Sequence, residues 1–238
     1  MTTIYDKLQQ VRGRLSQACA AAGRDPASVA LLAVSKTFGA DALAQAVAAG
    51  QRAFGENYIQ EGVAKIAALR AALPGAALQW HCIGPIQGNK TRPVAEHFDW
   101  VHTVDRLRIA ERLSAQRPAH LPPLQVCIQV NVDGDPNKSG VAPTDAPDLV
   151  RAVAQLPCLR VRGLMSIPDH TPDFEAQRAV HLRAKRLFDQ IRGNAEPGLE
   201  DFDTLSLGMT ADLEAAVQAG STLVRVGTGI FGGRDTAP

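Results

Sequence analysis

A lysine that directly follows an apolar run is placed for carbonyl chemistry, and Lys36 follows VALLAV (29–34) and Ser35. The run predicts a buried strand. At the rim of a low-dielectric cavity the charged ammonium is disfavoured, and the neutral amine is the form that condenses with an aldehyde to a Schiff base. A surface lysine capping the next helix is the plainer reading of the same position. Near the other end of the chain, Arg225-Val226-Gly227-Thr228-Gly229 offers backbone N–H groups free of bulky side chains, plus one hydroxyl. That combination suits a phosphate dianion, although the same glycines would equally let the chain leave a barrel. The letters GTGIFG (227–232) also match GxGxxG, but a dinucleotide site needs a further helix, strand and ribose-binding acid, and six residues follow Gly232. Ser206, ahead of Gly208-Met209-Thr210, adds a hydroxyl. A helix expected from about Ala211, with Thr210 as its N-cap, would aim its first amides the same way.

His81 lies late in an apolar strand and is read first as a hydrogen-bonded core residue. His97, His102, His120, His170 and His181 show no ligand spacing and read as structural or solvated. Asp133, Asp135 and Lys138 read as a solvated turn. Cys19, Cys82, Cys127 and Cys158 are dispersed without CxxC spacing, so neither disulfides nor a zinc site are expected, and a reducing compartment fits.

The elements that must position these residues alternate along the whole chain. Buried-strand patterns fall at about 29–34, 52–54, 78–83, 99–104, 124–132, 159–166, 203–207 and 222–227. Helical patterns lie between them at about 41–49, 59–72, 90–96, 106–116 with Asp105 as N-cap, 145–155, 174–191 and 211–219. A leading amphipathic helix at about 4–22 precedes them. Eight βα repeats in 238 residues predict one α/β domain, a single (β/α)8 TIM barrel over about 29–232 with an extra N-terminal helix. An open doubly wound sheet is the alternative. In a barrel, chemistry sits after the strands' C-terminal ends, and there fall Lys36, Gly55-Glu56-Asn57, Gly84, Asn131, Ser166, Ser206 and Arg225 to Thr228.

The formal net charge is +1 and only 5% of residues are aromatic, which argues against a nucleic-acid surface. Apolar runs are too short for a membrane span, and the polar N-terminus lacks a signal-peptide core, so a cytoplasmic location is expected.

Seven ordered blocks carry a resemblance. They are Val34-Ser35-Lys36, Phe54 to Tyr58, Trp80 to Gly84, Ile86 to Lys90, Gly163-Leu164-Met165, Leu205 to Thr210 and Arg225 to Gly232. Together they closely resemble the pyridoxal 5′-phosphate (PLP) homeostasis protein family, over about residues 30–234. The resemblance implies an alanine racemase N-terminal domain-like barrel holding PLP on Lys36. It also implies Asn57 beside the cofactor ring, Ser206, Thr210, Gly227 and Thr228 at the phosphate, and Arg225 facing the pyridine nitrogen. The family block usually ends in a serine where Thr210 keeps the hydroxyl. The function implied is binding and distribution of B6 vitamers, with PLP-dependent apoenzymes as recipients and no catalytic turnover. A racemase-like enzyme is the alternative, but Tyr5 and Tyr58 are the only tyrosines, and the second domain that supplies a racemase's opposing base is not expected. A monomer is expected for the same reason. A lysine-based aldolase without PLP is the third reading.

Overall fold

The computed structural model describes residues 2–169, 171–194 and 196–233, so His170 and the chain after residue 233 lie outside the described residues. Eight parallel strands close on themselves: β1 (Ala30–Val34), β2 (Ala53–Glu56), β3 (Gln79–Cys82), β4 (Trp100–Val104), β5 (Leu124–Gln129), β6 (Leu159–Met165), β7 (Thr204–Ser206) and β8 (Leu223–Val226). They pair in sequence order, and β8 returns to β1 with Leu32 beside Arg225 and Ala33 beside Val226. The open-sheet alternative is thereby excluded. A helix follows each strand: α2 (Ala40–Ala48), α3 (Ile59–Ala72), α4 (Thr91–His97), α5 (Leu107–Gln116), α6 (Ala146–Ala154), α7 (Phe174–Gly193), α8 (Leu213–Gln218) and the short α9 (Thr228–Phe231).

The extra helix α1 (Ile4–Ala21) starts where the sequence predicts. Thr3 Oγ1 accepts from the Asp6 amide while Asp6 Oδ2 accepts from the Thr3 amide, a reciprocal capping box. Leu8, Val11, Leu15, Ala18 and Cys19 recur on one face of α1 and bury it against α2, α8 and α9. The main core lies between the strands and this ring of helices. Among the described residues no helix is long and apolar enough to cross a membrane.

Several boundaries differ from the sequence expectation, each for a local reason. Strand β2 continues through Gly55 and Glu56 because both pair with β3. Strand β5 stops at Gln129, so Asn131 sits in the following loop; its side chain donates to the Asp135 carbonyl and accepts from the Gly134 amide, closing a turn. Asp105 does not cap α5, whose N-cap is Arg106. Thr210 does not cap α8; the cap position belongs to Asp212, which accepts instead from the Met209 amide and from His181. The glycine-rich end of the chain is not a bare exit: Gly227 leads into the single turn of α9.

Strand β6 carries an extra residue, Arg162, between the pairs Val126–Val161 and Cys127–Gly163. At Gly163 a Cβ would stand 1.7 Å from the Thr204 carbonyl oxygen of β7. Gly163→Ala is therefore expected to force β6 from β7 and to lower the unfolding free energy by about 3 kcal/mol. Urea denaturation of the two proteins checks this.

Candidate functional site

The β1–β8 seam joins the two ends of the chain at the C-terminal mouth of the barrel. A cavity of about 400 Å³ opens there, lined by Lys36, Asn57, Thr210, Arg225, Gly227 and Thr228 together with Val34, Ile83, Ile167, Met209 and Ala211. Six of the seven residues singled out in the sequence line this one cavity. The seventh, Ser206, does not line it: the residue is fully buried and lies beneath Arg225, with its hydroxyl engaged by other side chains.

Lys36 is half-buried and its loop is held from below. The next residue, Thr37, has φ +70°, a left-handed conformation that is costly for a β-branched residue and persists only where neighbours enforce it. The Thr37 amide donates to Glu61 Oε1 at 2.6 Å, and Lys65 Nζ donates to the Ser35 carbonyl at 2.7 Å. Lys65 also ion-pairs with Glu61 and with the fully buried Glu56, which accepts from the Ser35 hydroxyl as well. Burial pushes the Glu56 carboxyl up from its ordinary range, while the Ser35 hydroxyl and Lys65 oppose that shift. One buried ion-pair network thus fixes the path of residues 35–37.

Asn57 is pressed against the cavity by Gly84, where a Cβ would stand 2.0 Å from the Asn57 carbonyl oxygen. Only a glycine allows this approach. The Asn57 side-chain oxygen Oδ1 is buried and without a hydrogen-bond partner among the described residues. Also lining the cavity, the Thr228 hydroxyl meets the Thr210 hydroxyl at 3.1 Å, and the Gly229 amide donates to the Thr210 hydroxyl oxygen at 3.4 Å. Arg14 on α1 donates to the Thr210 carbonyl, so the extra helix steadies this group of hydroxyls and amides.

Arg225 is 4% exposed. Its Nη1 donates to the carbonyl and hydroxyl oxygens of Ser206, both at 2.7 Å, and its Nη2 donates to the Ser166 carbonyl at 2.9 Å. Burial pulls its pKa down to about 10, which leaves it a cation at neutral pH. The Ser206 hydroxyl also meets His102 Nδ1 at 3.0 Å, and His102 Nε2 meets His81 Nδ1 at 2.9 Å. The core reading of His81 fits this placement. His102, however, is fully buried and links His81 to the site, which its spacing in sequence did not suggest. The available signal was that two consecutive strands, QWHC and WVHTV, each carry a histidine. Glu56 falls in the strand-end cluster legible in the sequence, whereas Lys65 and Glu61 on α3 carry no such signal, because helical charge patterns usually read as solvated faces.

Lys138 departs from a free solvated turn: its amine pairs with Asp133 and Asp169, each at 2.7 Å. It lines a second cavity of about 230 Å³ that shares Asn57, Ile83 and Ile167 with the first.

The closed parallel barrel falls in the class of the alanine racemase N-terminal domain, whose family model matches residues 7–235. Within that class, the pyridoxal phosphate homeostasis protein of Pseudomonas aeruginosa is 57% identical, covering 99% of this chain and 97% of that protein. The pyridoxal phosphate homeostasis protein of Escherichia coli K12 is 52% identical, covering 99% and 98%. The chain belongs to this family of pyridoxal phosphate homeostasis proteins. Among solved structures, PipY of Synechococcus elongatus with PLP bound superposes with a TM-score of 0.83 at 36% identity, covering 97% of this chain and all of that one.

Two outcomes follow from the buried groups. Lys65→Met leaves the Glu56 carboxyl buried without its cation, and is expected to lower the unfolding free energy by about 3 kcal/mol, checked by urea denaturation. Burial holds His81 down to about 3 and His102 well below its usual value of 6.5, with His81 and Arg225 adding to the shift on His102. Both are neutral in the fold, so their contribution is complete above about pH 6.5. It is lost as the pH falls toward 3, because the unfolded chain takes up protons that the fold refuses. Stability should drop by about 1.4 kcal/mol per pH unit for each histidine in that window. A His81→Phe variant should show a correspondingly shallower slope in denaturation series between pH 6.5 and 4.5.

Proposed function

We propose that this protein binds PLP through the Lys36 amine and serves intracellular B6 homeostasis rather than catalysis. The observation that carries the reading is a primary amine and a hydroxyl-and-amide cradle lining one cavity, in a chain whose relatives bear that name. The donor set fits the group. Thr210, Thr228 and the backbone at Gly227 and Gly229 suit a phosphate dianion, and the unpartnered Asn57 Oδ1 awaits a donor from a ligand. PLP supplies an aldehyde able to condense with a primary amine. Lys36 provides that amine, and Thr37, Glu61 and Lys65 hold its loop in place.

A cation at Arg225 disfavours protonation of a pyridine nitrogen beside it, which weakens the electron sink that PLP enzymes exploit. The two tyrosines point the same way: Tyr5 is 57% and Tyr58 53% exposed, and neither lines the cavity. A racemase-type opposing base therefore has no support from these side chains. Residues 1–238 act in this reading as one barrel domain, a cytoplasmic monomer that keeps a reactive aldehyde off other amines and yields it to PLP-dependent apoenzymes. Ser206 serves the site through Arg225, from one layer below the cradle.

PLP added to the purified protein should yield one borohydride-reducible adduct, mapped by peptide mass spectrometry to Lys36 and absent in Lys36→Ala. An adduct persisting on another lysine would relocate the site. Turnover of an amino-acid panel by the loaded protein would overturn the non-catalytic role.

A further inference from the structure

The polar atoms beneath Arg225 do not end at His102. His81 Nε2 meets the side-chain oxygen of Gln79 at 3.1 Å, and Gln79 lines a separate cavity at the strands' N-terminal ends, beside Trp100 and Arg162. Five side chains, Arg225, Ser206, His102, His81 and Gln79, thus form one hydrogen-bonded file. It crosses the lumen from β8 and β7 to β4 and β3 and joins the two mouths of the barrel. Ser206 and both histidines are at most 1% exposed, and the His81 ring is stacked on Trp100.

The Gln79 oxygen at one end and the guanidinium at the other are both satisfied by a single direction of the bonds between them. A guanidinium can only donate, and an amide oxygen can only accept. At the lower end, the Gln79 oxygen requires His81 Nε2 to carry the hydrogen. A neutral imidazole has one N–H, so His81 Nδ1 accepts and His102 Nε2 must donate to it. His102 Nδ1 is then bare and accepts the Ser206 hydroxyl hydrogen, which leaves the Ser206 oxygen to accept from Arg225. The Arg225 end is satisfied by the same polarity, and in each dipole the negative end faces toward Arg225. Aligned chains of this kind polarise one another and stabilise a charge at their head.

We propose that His81 and His102 are positioning residues. In the Nε2–H form they orient the Ser206 hydroxyl so that its oxygen solvates and fixes the Arg225 guanidinium against the ligand cavity. The proposal rests on Arg225 facing the cofactor, as in the function proposed above. The buried guanidinium takes its hydrogen bonds from neutral oxygens of Ser206 and Ser166, so the file supplies polarisation that solvent would otherwise give. Replacing His102 by Phe removes the acceptor for the serine hydrogen. The hydroxyl is then free to rotate, and its hydrogen can turn toward the cation. Replacing it by Gln restores an acceptor and a donor on one side chain.

Long-range 15N–1H correlation spectra of the ligand-free protein should show both histidines protonated at Nε2 and bare at Nδ1, unchanged from pH 8 to pH 5. An Nδ1–H form or an imidazolium at either position in that range overturns the proposal, whether or not PLP binds. In PLP titrations followed by visible absorbance, His102→Phe should weaken binding about tenfold, the worth of one hydrogen bond to a charged group, and shift the absorbance maximum. His102→Gln should recover most of both. If His102→Phe binds with wild-type affinity and spectrum, or if Gln rescues nothing, the file does not position Arg225. Should His102→Phe fail to fold, the same pair of substitutions at His81, further from the cavity, gives the same comparison. Failure of the wild-type protein to bind PLP would instead sink the functional reading and leave the histidine spectra to be judged alone.

Discussion

Strands β1 and β8 hydrogen-bond in parallel, and without that seam the halves of the site would lie at opposite ends of the chain. Lys36 follows one strand and Gly227-Thr228 follows the other, so the pairing of Ala33 with Val226 sets their separation more firmly than any loop could. The fit is close: a Cβ on Gly227 would stand 3.3 Å from the Val34 carbonyl oxygen, and the two backbones leave the seam side by side. A closed barrel makes this placement cooperative, because no edge strand remains that could slip register alone. Helix α1 reinforces the seam from outside, packing on α2 and α9 and reaching the cradle through Arg14.

The seam places residue 36, but it does not orient it. Orientation comes from the loop, where Thr37 is held at positive φ by Glu61 and the Ser35 carbonyl is held by Lys65. Strain of this kind costs about 1–3 kcal/mol and has to be met by the surroundings. A buried lysine bridging two carboxylates is a rigid way to meet it, since releasing any member strands a charge in a low-dielectric interior.

Much of this was legible in the sequence because it depends on periodicity and on residue types with few uses. Alternating apolar runs and helical patterns marked all eight strands, and the ordered blocks around Lys36, Asn57 and Arg225 to Thr228 marked the cavity wall. The misplaced features share a physical cause. Strand β2 runs into Gly55-Glu56 and β5 stops short of Asn131 because neighbouring strands, not local propensity, decide where pairing ends. Thr210 looked like a helix cap, but Asp212 holds that position, and the Thr210 hydroxyl is directed instead at Thr228. Ser206 looked like a phosphate ligand because its strand end points to the mouth. Its side chain turns inward, toward a histidine on the opposite strand β4. Such through-lumen contacts join residues with no sequence relation, and no periodicity announces them.

Two of the three buried cations among the described residues, Lys65 and Arg225, are held differently; the third, Arg117, donates to the backbone carbonyls of Ala95, Phe98 and Pro122, away from the ligand cavity. Lys65 is paired with Glu56 and Glu61, so its field is cancelled within a few ångströms and it acts only on the loop it anchors. Arg225 is held by the hydroxyl and carbonyl oxygens of Ser206 and by the Ser166 carbonyl. Neutral dipoles stabilise a charge without cancelling it. The largest charge effect of opposite sign comes from Asp212, which is itself hydrogen-bonded to His181. A positive potential is therefore left uncancelled by these partners at the cavity that Arg225 lines. A carboxylate at position 206 would give Arg225 a stronger partner and a more stable barrel floor, yet it would erase that potential. A serine oriented by a neutral histidine keeps the guanidinium in place and leaves its charge available to the cavity above.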